Sequence, residues 1–395
     1  MKNILYGTLK ALSDNLQDIP FEVRFWDGEA KAYGKGSPSF VVTLNNEAAA
    51  KKILGRGHMG FGEEYMDGGV DVEGDFSQLV RLGVDARAKD IKTSLWTKMA
   101  VLFRHIISIN TIRGASKNIA RHYDLGNDFY KLYLDESMTY SCAYFRSDED
   151  TLEQAQEQKY EHICRKLRLE KGDELIDVGC GWGGMLLYAA RRYGVQGVGC
   201  TLSRNQADYA TEKIKRAGME NNITILLEDY RKIKGRFDKF VSIGMFEHVG
   251  KGFIPTFIGK AKELLRPGGV GLLHTIGKER DTGGDPWTLK YIFPGTHIPV
   301  LDQVVRTMGE KGLIPSDIEN LRLHYAATLE EWSKRFESNA QNIEEMFDGK
   351  FVRMWRLYLN GSAGAFRWGD IRLYQILFTN GLNNSLPMTR EHLYQ

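Results

Sequence analysis

Asp177-Val-Gly-Cys-Gly-Trp-Gly-Gly184 lies between the short apolar run Glu174-Leu-Ile-Asp-Val178 and a run from Met185 to Tyr193 with helical patterning. A strand, a glycine turn and a helix in that order build a site for a cofactor carrying an adenosyl group. Gly179, Gly181 and Gly183 let the backbone pass close to a ligand with no side chain in the way. The same letters fit G-x-G-x-x-G through Gly179, Gly181 and Gly184, so a dinucleotide site is a competing reading. A glycine turn with no ligand is the blandest one.

Two features favour S-adenosylmethionine (SAM). Asp177 lies two residues before the first glycine, where a carboxylate can meet the cationic methionine end of that cofactor. Arg266-Pro-Gly-Gly269 is similar to the turn that leads from a helix into the fifth strand of SAM-dependent methyltransferases.

Outward from this stretch the pattern is α/β. Candidate strands at 174–178, 195–200, 223–227, 237–243 and 270–276 alternate with helical patterns at 185–193, 204–217 and 253–265. Such alternation implies a parallel sheet with crossover helices. Ligands of these sheets bind at the carboxyl ends of the strands. That rule gathers Asp177, Thr201, Asp229, Glu247 and the end of the His274 strand around one crevice. Further strands are predicted near 321–325 and at 371–378, with helices between them. The expected fold is a class I SAM-dependent methyltransferase, Rossmann-like, with a mostly parallel seven-stranded sheet and a smaller N-terminal α+β domain.

The chain of 395 residues is too long for one ordinary core. We expect an N-terminal domain over 1–90, a basic amphipathic linker over 91–123 and the catalytic domain over 124–395. In the first, Leu5, Leu9, Leu12 and Leu16 repeat at helical spacing, Phe21–Phe25 and Phe40–Leu44 read as strands, and Glu47–Leu54 reads as a helix. Residues 55–74 are glycine-rich and predicted to be a loop. Glu63, Glu64 and Asp67 suggest a solvated acidic surface rather than a metal site. Residues 91–123 contain no Asp or Glu but carry Lys92, Lys98, Arg104, Arg113, Lys117 and Arg121. A basic amphipathic helix of this kind can lie on an anionic membrane surface. A helix packed between two domains fits the same pattern, and both readings stand.

Composition narrows the class. Hydrophobic content of 42% and charged content of 26% are those of a globular protein. No apolar run approaches the roughly 18 residues of a membrane span. The first residues, with Asp14 and no continuous apolar stretch, do not read as a secretion signal. The net charge of +2 argues neither for nor against nucleic acid. Cys142, Cys164, Cys180 and Cys200 form no C-x-x-C pair and no zinc spacing, so a reducing cytoplasm is expected. Glu247-His248 lacks H-E-x-x-H spacing, and no metal is expected.

Within the expected crevice the second strand ends in Gly199-Cys-Thr-Leu-Ser203, without the acid that usually holds the ribose. Thr201 and Gln206 are the neutral substitutes. Alternatively, Ser203-x-x-Gln206 is a capping box and the glutamine serves only the helix start. Asp229, after the third strand, can accept from the adenine amine, and Tyr230 or Trp182 can cover the ring.

Four further stretches carry a resemblance. They are His122-Tyr-Asp-Leu-Gly-Asn-Asp-Phe-Tyr130, Met138-Thr-Tyr-Ser-Cys-Ala-Tyr-Phe145, Gly244-Met-Phe-Glu-His-Val-Gly250 and Leu272-Leu-His-Thr-Ile-Gly277. With the glycine turn, and in this order, the set resembles cyclopropane-fatty-acyl-phospholipid synthases and the related mycolic acid cyclopropane synthases, over most of residues 115 to 380. The N-terminal unit resembles the additional domain of the phospholipid enzymes and is expected to be lipid- or membrane-associated.

The resemblance implies attack of a cis acyl double bond of a membrane phospholipid on the SAM methyl, loss of a proton to a bound bicarbonate, and closure of a cyclopropane ring. The matching catalytic positions are Cys142, Glu247, His274 and Tyr325, with Ile276 acting through its backbone; Tyr140 and Ser141 match residues near the SAM carboxylate. Tyr325 lies in the loosely matching Leu323-His-Tyr-Ala-Ala-Thr328, beside His324. The implied partners are unsaturated membrane phospholipids and an anionic membrane surface on the cytoplasmic face, with a homodimer and no nucleic acid. The chemistry fits the residue types. A carbocation must be kept dry, and aromatic faces such as Tyr140, Tyr144, Phe145, Phe246, Tyr291, Phe293 and Tyr325 can stabilise it. Cys142 is not needed as a nucleophile, because no covalent acyl chemistry occurs.

Overall fold

The computed structural model describes residues 2–15, 18–88 and 125–394. The predicted linker 91–123 and the first residues of the His122–Tyr130 stretch lie outside the described residues. The chain divides into two compact units. One holds the N-terminal residues together with Asp285–Ile292 and Leu329–Asp370; the other holds most of the remainder. Two segments beyond residue 124 thus group with the N-terminal unit.

In the first unit, β1 (Phe21–Arg24), β2 (Ala30–Tyr33), β3 (Phe40–Leu44) and β4 (Val70–Gly74) form a sheet in the order β2-β1-β3-β4. Phe21 stacks on both Tyr33 and Phe40, so alternate residues of three strands meet on one buried face. The predicted loop 55–74 is corrected. The helix Glu47–Met66 runs on through a kink at Gly57, and β4 follows it. Glycine costs about 1 kcal/mol per helical position, but here Met59, Tyr65 and Met66 bury their side chains, and that burial outweighs the local preference. Of the acidic residues at its end, Glu63 and Glu64 are covered and paired, whereas Asp67 is paired but exposed. Glu63 bonds Arg56, Lys290 and Tyr291, Glu64 bonds Lys52, and Asp67 meets Lys350.

The second unit is built on a seven-stranded sheet. Its strands are β5 (Glu174–Val178), β6 (Gln196–Thr201), β7 (Ile223–Leu227), β8 (Phe237–Ile243), β9 (Leu265–Gly277), β10 (Leu313–Asn320) and β11 (Arg372–Asn380). The order is β7-β6-β5-β8-β9-β11-β10, and only β11 runs against its neighbours. The chain leaves β5 towards β6 and β7, then returns to β8 on the other side. That reversal opens a crevice at the carboxyl ends of β5 and β8. Apolar cores cover the sheet, one around Phe240, Phe257 and Ile376, the other around Leu175, Leu186 and Leu272.

The strand predicted near 321–325 is also corrected. Those residues open the helix Arg322–Ser338, and the strand is β10, just upstream. Its alternation is inverted: Ile314 and Ile318 are exposed while Asp317 and Glu319 are partly covered, and the register shifts between Pro315 and Asp317. An edge strand tolerates proline and such a bulge, and its pattern conceals it. Among the described residues no helix is long and apolar enough to cross a membrane.

Candidate active site

The crevice is a half-open cleft. It is lined by the glycine turn after β5, by Thr201 and Gln206 after β6, by Glu228 and Tyr230 after β7, and by Gly244, Met245 and His248 after β8. The loop before the sheet adds Met138 to Ser141, and the helix Leu152–Leu167 adds Lys159 and Tyr160.

Gly179, Gly181 and Gly183 all have positive φ, at 88°, 53° and 76°. A Cβ on Gly179 would lie 2.5 Å from that of Met245, whereas one on Gly181 would meet nothing within 4 Å. The first glycine lets β5 approach the β8 loop; the second leaves open space above the cleft. Trp182 is anchored by its indole N–H, which donates to Asn127 Oδ1 at 2.8 Å. Asn127 thus ties the described part of the His122–Tyr130 stretch to the glycine turn.

Asp177 is buried, and its Oδ1 has no hydrogen-bond partner among the described residues. Burial pushes its carboxyl up to about 7, and the charge of Lys159 opposes that rise. Lys159 is itself fully buried and donates from Nζ to Ser141 Oγ at 3.1 Å. Burial lowers it to about 8, against the pull of Asp135, Cys142 and Asp177. A carboxyl with one orphaned oxygen and a buried amine therefore share one cleft, a pairing whose charges suit a zwitterion. Lys159 was absent from the sequence-derived set.

Thr201 donates to Gln206 Oε1 at 2.7 Å, while Ser203 caps the helix by accepting from Gln206 N. The Gln206 side chain therefore turns to Thr201 and the cleft, and the backbone cap is served by Ser203. Asp229 is less available than expected. Arg231 donates three hydrogen bonds to its two carboxylate oxygens, and Asp229 is not among the cleft-lining residues. Burial would raise its pKa, but the Arg231 guanidinium prevails and holds it below the usual range. Its neighbours Glu228 and Tyr230 line the cleft, with Tyr230 packed against Phe257.

Two further buried ionisable residues, Glu247 and His274, lie at the ends of β8 and β9. Glu247 Oε1 accepts from the backbone N–H of Ile276 at 2.6 Å; Oε2 is buried without a partner among the described residues. Burial pushes this carboxyl up to about 7, although the N–H of Ile276 and the hydroxyl of Thr275 work against it. His274 is buried, its Nδ1 lies 3.2 Å from Gln375 Nε2, and its Nε2 has no partner among the described residues. Burial first, and then the positive charges of Lys159 and Lys166, push His274 well down, so the ring is neutral.

Cys142 is fully buried; its thiol donates to Ala143 O at 3.1 Å, and burial holds it protonated. Tyr325 sits in the first turn of the helix Arg322–Ser338, not on a strand. Its neighbour His324 is distinguished from it by its contact: His324 Nδ1 accepts from the backbone N–H of Phe145 at 3.1 Å. Several expected aromatics are otherwise engaged. Phe246 packs on Phe257 in the core, Tyr144 is sandwiched between His162 and His324, and Tyr291 belongs to the other unit. Tyr140, against Tyr130 and Tyr133, remains at the cleft.

A sheet of this order with a glycine turn, an acid and neutral hydroxyl and amide groups at the ends of its first strands defines a class I SAM-dependent methyltransferase. The groups present fit SAM: the orphaned Asp177 oxygen can meet its positive methionine end, and the space over Gly181 admits a ligand close to the backbone. The mycolic acid cyclopropane synthetase family matches residues 110–376, more than half of the chain, and the chain belongs to that family. A domain family of unknown function matches residues 8–93. The chain is 39% identical over 360 residues to the cyclopropane-fatty-acyl-phospholipid synthase of Escherichia coli K12, covering 90% of this chain and 92% of that protein. It is 36% identical over 389 residues to a probable fatty acid methyltransferase of Pseudomonas putida, covering 95% of this chain and 97% of that one. Its fold is similar to that of mycolic acid cyclopropane synthase CmaA1 complexed with SAH and CTAB, with a TM-score of 0.64 and 34% identity, covering 67% of this chain and 98% of that chain.

Proposed function

We propose that this protein converts cis double bonds in the acyl chains of membrane phospholipids into cyclopropane rings, with SAM as carbon donor and bicarbonate as proton acceptor. The observation that carries the reading is a pair of buried polar atoms without partners among the described residues, Glu247 Oε2 and His274 Nε2, beside the SAM cleft. Such atoms cost about 1–3 kcal/mol each if nothing meets them. A small oxyanion fits them: His274 donates from its ring, and Glu247, with its raised pKa, shares a proton instead of repelling the anion. When bound, SAM supplies the methyl that becomes the ring carbon, and bicarbonate supplies a base that takes the proton released.

The residues then divide the work. Asp177 faces the positive methionine end, and Lys159, Ser141 and Tyr140 hold its carboxylate. Thr201 and Gln206 hydrogen-bond the ribose, and Tyr230 and Trp182 cover the adenine. Asp229 orders the loop through Arg231, and its neighbours Glu228 and Tyr230 face the adenine. Ile276 holds Glu247 through its N–H. The Tyr325 hydroxyl acts as a donor, and Cys142, whose thiol donates to Ala143 O, lines the site as a small buried side chain and not as a nucleophile. An alkene is a weak nucleophile, so alignment with the methyl and exclusion of water supply much of the rate.

The lipid side rests on residues 91–123, whose unopposed basic charge suits an anionic cytoplasmic membrane face, with the N-terminal domain as a second contact and the protein acting as a homodimer. The direct test is incubation with SAM and unsaturated phospholipid vesicles, followed by mass spectrometry of the acyl chains. Gain of CH₂ with loss of the double bond and no reductant supports the ring. A branched methyl that needs a reductant supports the second reading, suggested by the Pseudomonas putida relative. Unchanged acyl chains would sink both.

A further inference from the structure

A row of polar side chains crosses the sheet beside the cleft. In register, Glu319 of β10 pairs with Gln375 of β11, and Gln375 pairs with His274 of β9. Lys166, from the helix Leu152–Leu167, sits over the row: its Nζ donates to Gln375 Oε1 at 2.8 Å and to Glu319 Oε2. His162 Nε2 also meets Glu319 Oε2, at 2.7 Å. His274, Gln375 and Lys166 are each at most 2% exposed. Polar groups buried at that depth need matched partners.

The chemistry of the row has one self-consistent arrangement. An ammonium has three donors and no acceptor, so the amide oxygen of Gln375 must face Lys166. The amide nitrogen then faces His274 and donates to Nδ1. An Nδ1 that accepts carries no proton, so the neutral ring carries its proton on Nε2. Reversing the amide would set NH₂ against an ammonium. Glu319 keeps Lys166 in place: burial would raise this carboxyl, but the bond from His162 and the charge of Lys166 take it down to about 2.

We propose that Glu319, Lys166 and Gln375 are positioning residues that lock His274 in the Nε2–H tautomer, aiming its single N–H into the active site. The proposal rests on the reading of His274 as the oxyanion's donor. None of the three need touch SAM or the acyl chain, and each acts through the next.

The test is nitrogen-15 NMR of the full-length protein labelled at its nine histidines, with the His274 signal assigned by its absence in His274→Asn. The wild-type ring should show a protonated Nε2 and a bare Nδ1. Gln375→Glu replaces the amide donor with an acceptor that Lys166 still tolerates, and Nδ1 should gain a proton. Where that ring is neutral, at about pH 9, kcat should fall at least about tenfold with SAM affinity unchanged. The variant-to-wild-type ratio of kcat should recover as the pH falls and the ring takes its second proton, restoring Nε2–H. A purely structural substitution would not show that recovery. A wild-type ring protonated on Nδ1, or a bare Nδ1 in folded Gln375→Glu, overturns the lock. If Nδ1 gains its proton while kcat at high pH holds, the lock stands and the donor role of His274 fails instead. The wild-type spectrum alone decides the tautomer should Gln375→Glu not fold.

Discussion

Asp177 carries the most direct consequence of burial. Its carboxyl, pushed up to about 7 in the free protein, must ionise to meet a cationic ligand. SAM affinity should therefore weaken as the pH falls below about 7, and binding near that pH should release a proton. Calorimetry in buffers of different ionisation enthalpy reads that release; a pH-independent affinity would contradict it. Asp177→Asn should abolish detectable SAM binding but leave the fold intact. The sign for stability is opposite to that for binding. A carboxyl raised in the folded state stabilises fully below its unfolded pKa and loses that contribution as the pH rises through the folded one. The ligand-free Asn variant should thus melt above wild type beyond about pH 7. At the other side of the cleft, Glu247→Gln and His274→Ala should keep SAM affinity and lose about a hundredfold or more of turnover. Near-normal turnover at saturating SAM in either would refute the oxyanion site.

At the scale of elements, the glycine turn separates a packing role from a ligand role. Gly179→Ala combines positive φ with a 2.5 Å approach to Met245, and should destabilise the protein by about 1–3 kcal/mol. Gly181→Ala meets nothing within 4 Å, so it should cost less stability yet weaken SAM binding by filling the cleft. Paired denaturation and SAM titration check this contrast, and equal losses of stability would count against it. The helix Leu152–Leu167 shows what was hard to read. Lys159 and Lys166 are seven residues apart, on the stripe that also buries Leu152, Ile163 and Leu167. Lysine normally marks the wet face of a helix, so neither residue stands out from the sequence as part of a site. Two lysines in phase with buried leucines were the available signal.

For the whole molecule, the proposed reaction on membrane phospholipids requires access to a double bond inside a bilayer. Drawing an acyl chain into water costs roughly 0.8 kcal/mol per CH₂, so a dry path from membrane to cleft is needed. The basic segment 91–123 is the proposed dock, and each basic residue near an anionic surface contributes on the order of 1 kcal/mol. Reversing Lys92, Lys98 and Arg104 to Glu should weaken binding to anionic vesicles and slow turnover on them, with SAM affinity untouched. Wild-type co-sedimentation of that triple variant would move the membrane contact to the N-terminal domain.

The amino-acid sequence alone determined the α/β class, the SAM turn and the positions of Asp177, Glu247 and His274, because strand ends, glycines and short motifs are local features. It also pointed to the family through motifs in a set order. Tertiary structure decided the rest. The inverted edge strand β10 exists because β11 pairs with it, against its own pattern. The glycine-rich run 55–66 is helical because its apolar side chains are buried. Asp229 turns to Arg231 because a strong donor lies two residues away and folds back onto it. Lys159, Lys166, Glu319 and Gln375 acquire meaning only when the helix and three strands bring them to the cleft and to His274. Their energy comes from burial and from partners distant in the chain, and no local pattern encodes either.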